Sequence, residues 1–426
     1  MIKGKNYLVA PARLITLLLG GLIAMFITKT LIDNFGIEAF ARYSVMTSIA
    51  ALIPFADLGL GLNVFNIYAK SESTESPERA IKEKITLSFL LACAFSFVGI
   101  FFSFFIFFSP FTVSFSAFNM IISQSADAFI IAALTFLSAP LSFGFRKMYA
   151  SGKILRAIFL GFLIPILNLS LTLIIIIFQN GFENWLIFTP SVSYFAANLT
   201  AFITAKVYKD LTKIDKAFFR DQTAPILKYA MFSTLFTSLV AITLQIPKYY
   251  FALLNQPMDV AKYSVFLLVI SSLGSLVSAQ ASIYVPIFKK RRTDVGNRDF
   301  LVPGLKSVLL LSLVSIVVYF SGPNLLFLVF KIELKPLDSI VSLIILVAYL
   351  VWVFYNSFLS EKGELKELFR NGFISIMLSV LVLFAMEISS YAISLVFILG
   401  FFFFTLIFTS LANIFSPKES RYYSKH

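Results

Sequence analysis

Four ionisable side chains interrupt long apolar runs of the sequence, where a charge needs either a partner or water. They are two lysines and two aspartates: Lys29, Asp57, Asp127 and Lys248. A charged side chain at the centre of a bilayer costs about 2.5–3.5 kcal/mol on insertion scales, and groups kept at that cost usually line a cavity or a substrate path. The four residues therefore predict binding of a charged ligand or ion.

The two lysines occupy similar places in the chain. Lys29 lies one turn before Asp33 in the first apolar run, and Lys248 lies near the corresponding place in the seventh run. Lys29 either pairs with Asp33, extends to the membrane surface or faces an internal cavity, and the sequence leaves these interpretations open. Two cations at equivalent places in two helix bundles would suit an anionic substrate.

The aspartates and two amides complete the candidate substrate-binding set. Asp57 lies about eleven residues, or roughly 16 Å, from the cytoplasmic end of the second run, too far for a short carboxylate to reach the surface. It is therefore paired, protonated, exposed to a watery cavity or buried between helices. Asp127 belongs either to a cavity wall or to the outer interface. Asn63 and Gln245 suit sugar hydroxyls, although each also suits a helix–helix hydrogen bond.

The sequence contains few residues that could catalyse a reaction or bind a metal ion. The one histidine is His426 and the one cysteine is Cys93, so we expect neither a disulfide framework nor a metal site built from these residues. Ser151-Gly152-Lys153-Ile154 lacks the upstream glycine and the hydroxyl residue of a phosphate-binding loop. The short outer loops hold no cluster of acids or nucleophiles. We therefore predict no catalytic residues and no cofactor, apart from a coupling ion such as H⁺ or Na⁺.

The composition indicates that these side chains lie in a membrane. Hydrophobic residues make up 59% of the 426 residues, and charged residues only 13%, against about 25% in a soluble domain. Phenylalanine alone contributes 51 residues. The net charge of +13 does not indicate nucleic-acid binding, because the cations lie in short loops between apolar runs.

Twelve apolar runs approach the length of about 20 residues that crosses a bilayer as a helix. They lie at approximately 13–33, 39–68, 85–108, 117–145, 154–178, 185–206, 225–254, 260–287, 305–329, 337–359, 366–387 and 390–413. Alternating the loops between two sides places 29 of the 35 lysines and arginines on one side. Because excess positive charge marks the cytoplasmic side, both termini are predicted to be cytoplasmic.

An internal repeat divides the chain. Ala41-Arg42-Tyr43-Ser44-Val45 recurs 220 residues later as Ala261-Lys262-Tyr263-Ser264-Val265. An even number of runs separates the copies, so they enter the membrane from the same side as a parallel repeat. The sequence therefore predicts an all-α membrane protein of about twelve transmembrane helices in two six-helix lobes, 1–215 with the linker and 216–426.

The chain resembles the polysaccharide-export branch of the multidrug/oligosaccharidyl-lipid/polysaccharide (MOP) flippase superfamily, in particular the bacterial O-antigen flippases called Wzx. The resemblance covers most of the length. It rests on the short N-terminus, on Gly36 and Tyr43 after the first run, on Phe55-Ala56-Asp57-Leu58-Gly59-Leu60-Gly61, and on the second copy of the Tyr43 segment at Tyr263.

This resemblance implies a V-shaped pair of lobes around a central cavity. It implies translocation of an undecaprenyl-diphosphate-linked oligosaccharide, such as an O-antigen repeat unit, to the outer leaflet of the bacterial inner membrane. Alternating access, coupled to a proton or cation gradient, would drive that step. The implied partners are the lipid-linked substrate, membrane lipids and the polysaccharide polymerase with its chain-length machinery, but not nucleic acid.

Two alternatives stay open beside this interpretation. A cation-coupled multidrug or small-solute exporter of the same superfamily is one, although drug-exporting relatives commonly carry acids where this chain has Lys29 and Lys248. A membrane enzyme such as an O-antigen polymerase is the other alternative.

The two halves of the chain also differ at one candidate residue, because Val277 takes the place of Asp57 in the second half.

Overall fold

The computed structural model describes residues 9–49, 60, 64, 67–68, 78–108, 125–178, 183–290, 329–362, 365–386 and 388–415. Every regular element within these ranges is helical. In chain order the α-helices are α1 Val9–Ser48, α2 Glu78–Phe108, α3 Ser125–Leu141, α4 Phe143–Ala150, α5 Ile154–Ile177, α6 Thr189–Ala205, α7 Lys216–Leu253, α8 Pro257–Lys290, α9 Pro336–Lys362, α10 Leu365–Ala385, α11 Tyr391–Leu395 and α12 Phe401–Phe415. Short 3₁₀ segments occupy Glu183–Phe188 and Val207–Lys209, and a π-helical turn at Val396–Gly400 joins α11 to α12.

The helices follow the apolar runs of the sequence. Within the described ranges, nine helices are long and apolar enough to cross a membrane. The predicted run at 154–178 becomes α5, for example, and the run at 366–387 becomes α10. The run at 305–329, apart from Val329, and half of the run at 39–68 lie outside the described residues. The all-α membrane fold is thus confirmed, and the count of twelve spans stays a prediction.

The first helix contains a sharp break at Gly36. This residue has φ 84° and ψ 174°, a backbone region that essentially only glycine adopts. A Cβ added at Gly36 would meet no atom within 4 Å. The glycine is therefore required by the backbone conformation and not by crowding, and it separates the first predicted run from the second.

The described residues form two compact units. The first contains the chain up to Ser272 together with the segment that ends at Ile332, and the second contains the remaining residues from Leu273 onward. The boundary falls within α8. The predicted lobes at 1–215 and 216–426 concern the repeat in the sequence and stay a prediction.

Many aromatic side chains point outward from the helices. On α2, Phe97, Phe101 and Phe102 are each more than half exposed, and Phe104 and Phe108 both pack on Phe129 of α3. An apolar surface of this size is unfavourable in water. The exposed phenylalanines are therefore suited to lipid tails, as the composition indicates.

Close helix packing in the first unit depends on Gly144. This residue lies in α4 against α6, and a Cβ built on it would lie 2.3 Å from the carbonyl carbon of Ala201. Backbone atoms cannot move aside as the end of a flexible side chain can. The glycine therefore permits an approach of the two helices that no other residue allows.

Gly144→Ala is expected to lower the free energy of unfolding of the first unit by about 1–3 kcal/mol, the usual cost of overpacking. The measurement is the apparent melting temperature of the purified protein in detergent. Gly161→Ala serves as the control, because a Cβ there meets only Phe145 at 4.0 Å. Equal melting temperatures for the two variants would contradict the tight contact between α4 and α6.

Candidate substrate-binding site

A cavity of about 220 Å³ lies within the first unit, between α1, α5, α7 and α8. Its walls are partly apolar, with Ile27 and Phe40 on α1 and Leu267 on α8. The polar side chains that line it are Thr28, Tyr43, Ser44, Asn168, Lys248, Ser264 and Ser271. The cavity therefore offers hydroxyl and amide groups and a single ammonium group among the described residues.

Lys248 is the charged residue of this lining. Only 7% of the residue is exposed, and it forms no hydrogen bond or ion pair with any residue that the structure describes. A buried ammonium group without a carboxylate partner is unfavourable unless water or an anion satisfies it. The cavity therefore has the electrostatic character of a site for an anionic group.

The repeated motif supplies the contact between α1 and α8 beside this lysine. Ala41 and Ala261 are fully buried, and the side-chain oxygens of Ser44 and Ser264 lie 2.5 Å apart. Ser264 donates its hydroxyl proton to the carbonyl of Val260 at 2.6 Å. Because a hydroxyl has one proton, Ser44 must be the donor to Ser264. The two copies of the motif thus meet at their equivalent serines.

The two tyrosines of the motif have different surroundings. Tyr263 is fully buried, and its hydroxyl donates to the carbonyl of Leu244 at 2.6 Å. Tyr43 instead borders the cavity, with the side chains of Asn168 and Thr189 beside its hydroxyl. The Oδ1 atom of Asn168 is buried without a partner in the described part of the chain. The repeat therefore supplies a structural tyrosine in one copy and a cavity tyrosine in the other.

Lys29 lies outside the cavity lining. Its ammonium group pairs with Asp33 at 2.8 Å, and 43% of its side chain is exposed. Of the interpretations left open by the sequence, this geometry corresponds to the ion pair. The structure therefore places only one of the two predicted lysines, Lys248, in the cavity wall.

The other predicted site residues are spread more widely. Asp127 lies in the first turn of α3, where the positive charge of Arg42 acts on its carboxylate. Gln245 precedes Lys248 by three residues on α7, and its Oε1 atom is buried without a partner among the described residues. Asp57 and Asn63 lie outside the described residues.

The sequence interpretation did not select Tyr43, Ser44 and Ser264 as binding residues. The signal for them was present, because all three belong to the repeated motif. A motif that recurs in two halves indicates a shared packing position, and here that position is also the cavity wall.

The overall fold matches solved structures of membrane transporters. An inward-facing multidrug resistance MATE family transporter of the MOP superfamily aligns with a TM-score of 0.62 and 14% identity, covering 95% of this chain and 98% of that chain. The eukaryotic MATE transporter AtDTX14 aligns at 0.60 and 13% identity, covering 96% and 94% of the two chains. A MATE protein in complex with MaD5 aligns at 0.60 and 14%, covering 97% of each.

These likenesses show that the chain has an all-α fold of the kind found in these solved transporters. More particularly, the chain has the MATE-type fold found in the MOP superfamily. No protein-family model and no curated protein matches the sequence.

Lys248→Met is expected to raise the apparent melting temperature in detergent by about 2–4 °C, the shift that corresponds to about 1 kcal/mol. Methionine has a similar length and removes a buried ammonium group that has no described partner. Lys29→Met is the control, because its exposed ion pair contributes little and its loss should leave the melting temperature almost unchanged. A clear loss of stability in Lys248→Met would contradict the assignment of an unpaired ammonium group.

Proposed function

We propose that this protein is a flippase for an anionic lipid-linked oligosaccharide in the bacterial inner membrane. Its substrate would be an undecaprenyl-diphosphate-linked repeat unit of a surface polysaccharide, moved from the cytoplasmic to the outer leaflet. The observation that supports this proposal most strongly is Lys248, a buried ammonium group in a cavity with both polar and apolar walls, in a fold similar to that of solved transporters.

The cavity chemistry suits the head of such a lipid. A phosphate oxygen accepts a charge-assisted hydrogen bond from an ammonium group, which is stronger than a neutral one. Hydroxyl and amide side chains such as Thr28, Ser271 and Asn168 match the hydroxyl groups of a sugar. The mixed lining therefore fits a ligand that carries both an anion and several hydrogen-bonding groups.

The size of the cavity limits what enters it. A volume of about 220 Å³ is below the range of about 300–1,000 Å³ for pockets that enclose drug-sized ligands. It would therefore receive the diphosphate or part of the first sugar, while the polyprenyl tail stays among lipid tails. Coupling to a proton or cation gradient and movement by alternating access complete the proposal.

A multidrug or small-solute exporter is the second candidate function. It is favoured by one observation, that a similar solved structure is a multidrug resistance transporter. The cavity argues against cationic drugs, because the described lining contains an ammonium group and no carboxylate. The similar solved structures described above are transporters, which favours transport over a membrane polymerase.

Lys248→Ala is expected to reduce surface polysaccharide in a strain deleted for this protein. Loss of one hydrogen bond to a charged group, worth about 1.5–3 kcal/mol, corresponds to a loss in substrate affinity of roughly tenfold to a hundredfold. The measurement is the amount of lipid-linked repeat units retained on the cytoplasmic face. Lys248→Arg, which keeps the positive charge, should retain more activity than Lys248→Ala.

Lys216→Ala is the matched control for this experiment, because Lys216 is an exposed lysine at the start of the same helix. It should complement the deletion fully. Full complementation by Lys248→Ala as well would overturn the cavity assignment. Normal export in the deletion strain, together with increased sensitivity to drugs, would instead support the exporter.

A further inference from the structure

A short segment before α9 packs back onto α1. In Val329–Ile332, here called the latch segment, Phe330 and Ile332 are 3% and 1% exposed. They join a cluster of buried side chains that includes Ile27, Leu31 and Phe40 of α1. The two apolar side chains thus anchor the latch segment on the first helix.

Charged groups hold the same segment from its exposed side. Asp33 accepts one contact from Lys29 at 2.8 Å and one from Lys331 at 3.5 Å. Lys29 also donates to the backbone carbonyl of Val329 at 3.3 Å. The side chain of Lys331 is 73% exposed, and ion pairs at such exposure are weak and readily exchanged with water. These polar contacts can therefore be broken and remade.

The backbone of Lys331 supports this arrangement. Its φ of 56° lies in the left-handed region, which is unfavourable for a residue with a Cβ. This turn lets Phe330 and Ile332 enter the buried cluster while the lysine between them stays exposed. Strained backbone of this kind is often found in segments that change conformation.

The latch segment lies directly behind the cavity wall. Ile27 and Phe40 line the Lys248 cavity and also belong to the cluster that receives Phe330 and Ile332. The distribution of basic residues predicts that the chain before α9 lies on the outer side of the membrane. Displacement of the latch segment would therefore uncover the cavity wall from the outer side.

We propose that the latch segment, held on α1 by Lys29, Asp33 and Lys331, is the outer closure of the Lys248 cavity. It releases during each transport cycle and reseats when the cavity opens to the cytoplasm. The inference rests on the proposed transport function for the cycle, and on the contacts above for the closure. Lys29 and Asp33 therefore act as positioning residues of the closure and not as substrate ligands.

Reversible cross-linking tests whether release is required. In a Cys93→Ala background, Asp33→Cys with Lys331→Cys is joined by a short bis-methanethiosulfonate reagent, and export is measured before and after reduction. We expect export to be lost in the cross-linked protein and restored by reduction. Thr30→Cys with Asn34→Cys, which are joined within one turn of α1, should keep its export after cross-linking. Undiminished export by the cross-linked latch pair would overturn the proposal.

Thiol labelling tests the closure without reference to the cargo. Thr28→Cys places a thiol in the cavity wall, and a membrane-impermeant maleimide is added from outside. Lys331→Ala should speed labelling about two- to fivefold, because loss of a weak exposed ion pair raises the population of the open state by about that factor. Lys335→Ala, a neighbouring exposed lysine, is the matched control and should leave the rate unchanged.

The two experiments separate the inference from the proposed function. Labelling that is accelerated by Lys331→Ala supports the closure even if the cargo is not a lipid-linked oligosaccharide. Equal labelling rates in the Lys331→Ala and Lys335→Ala variants would overturn the closure whatever the cargo.

Discussion

The unfavourable free energy of a buried ammonium group is the constraint on which the cavity depends. Lys248 is almost fully buried and has no partner among the described residues, so it needs water or an anion beside it. An apolar side chain at this position would pack without that need. A lysine at this position lowers the stability of the fold, and the hydroxyl and amide groups among the partly apolar cavity walls reduce the loss. The proposed binding role of the cavity rests on the same imbalance.

The contact between α1 and α8 at Ser44 and Ser264 forms part of the wall that surrounds this lysine. Buried alanines and serines let two helices approach, and in lipid such contacts depend on small side chains and interhelical hydrogen bonds rather than on the hydrophobic effect. The Ser44–Ser264 hydrogen bond satisfies two hydroxyl groups at once. Because both serines also line the cavity, the contact that joins the two copies of the motif also shapes the candidate site.

The fold was predictable because helix length and apolar composition are local properties of the chain. Runs such as 154–178 therefore have nearly the same bounds as α5, and the break at Gly36 falls between two predicted runs. The surroundings of the two lysines were only partly predictable. Asp33 lies one turn after Lys29 in the sequence and offers an ion pair, whereas no carboxylate lies at that spacing from Lys248. Which side chains of α1, α5 and α8 surround Lys248 depends on contacts between residues far apart in the chain. Tyr43 and Tyr263 differ for the same reason.

The two lysines consequently have different electrostatic roles. The charge of Lys29 is largely compensated by Asp33, so it contributes little field to the cavity and is suited to a contact that breaks reversibly. The charge of Lys248 is uncompensated by any described residue and is suited to attract an anion. An anionic group that binds beside Lys248 would act on the cavity wall that Ile27 and Phe40 share with the latch segment. The proposed binding site and the proposed outer closure thus share the same part of α1.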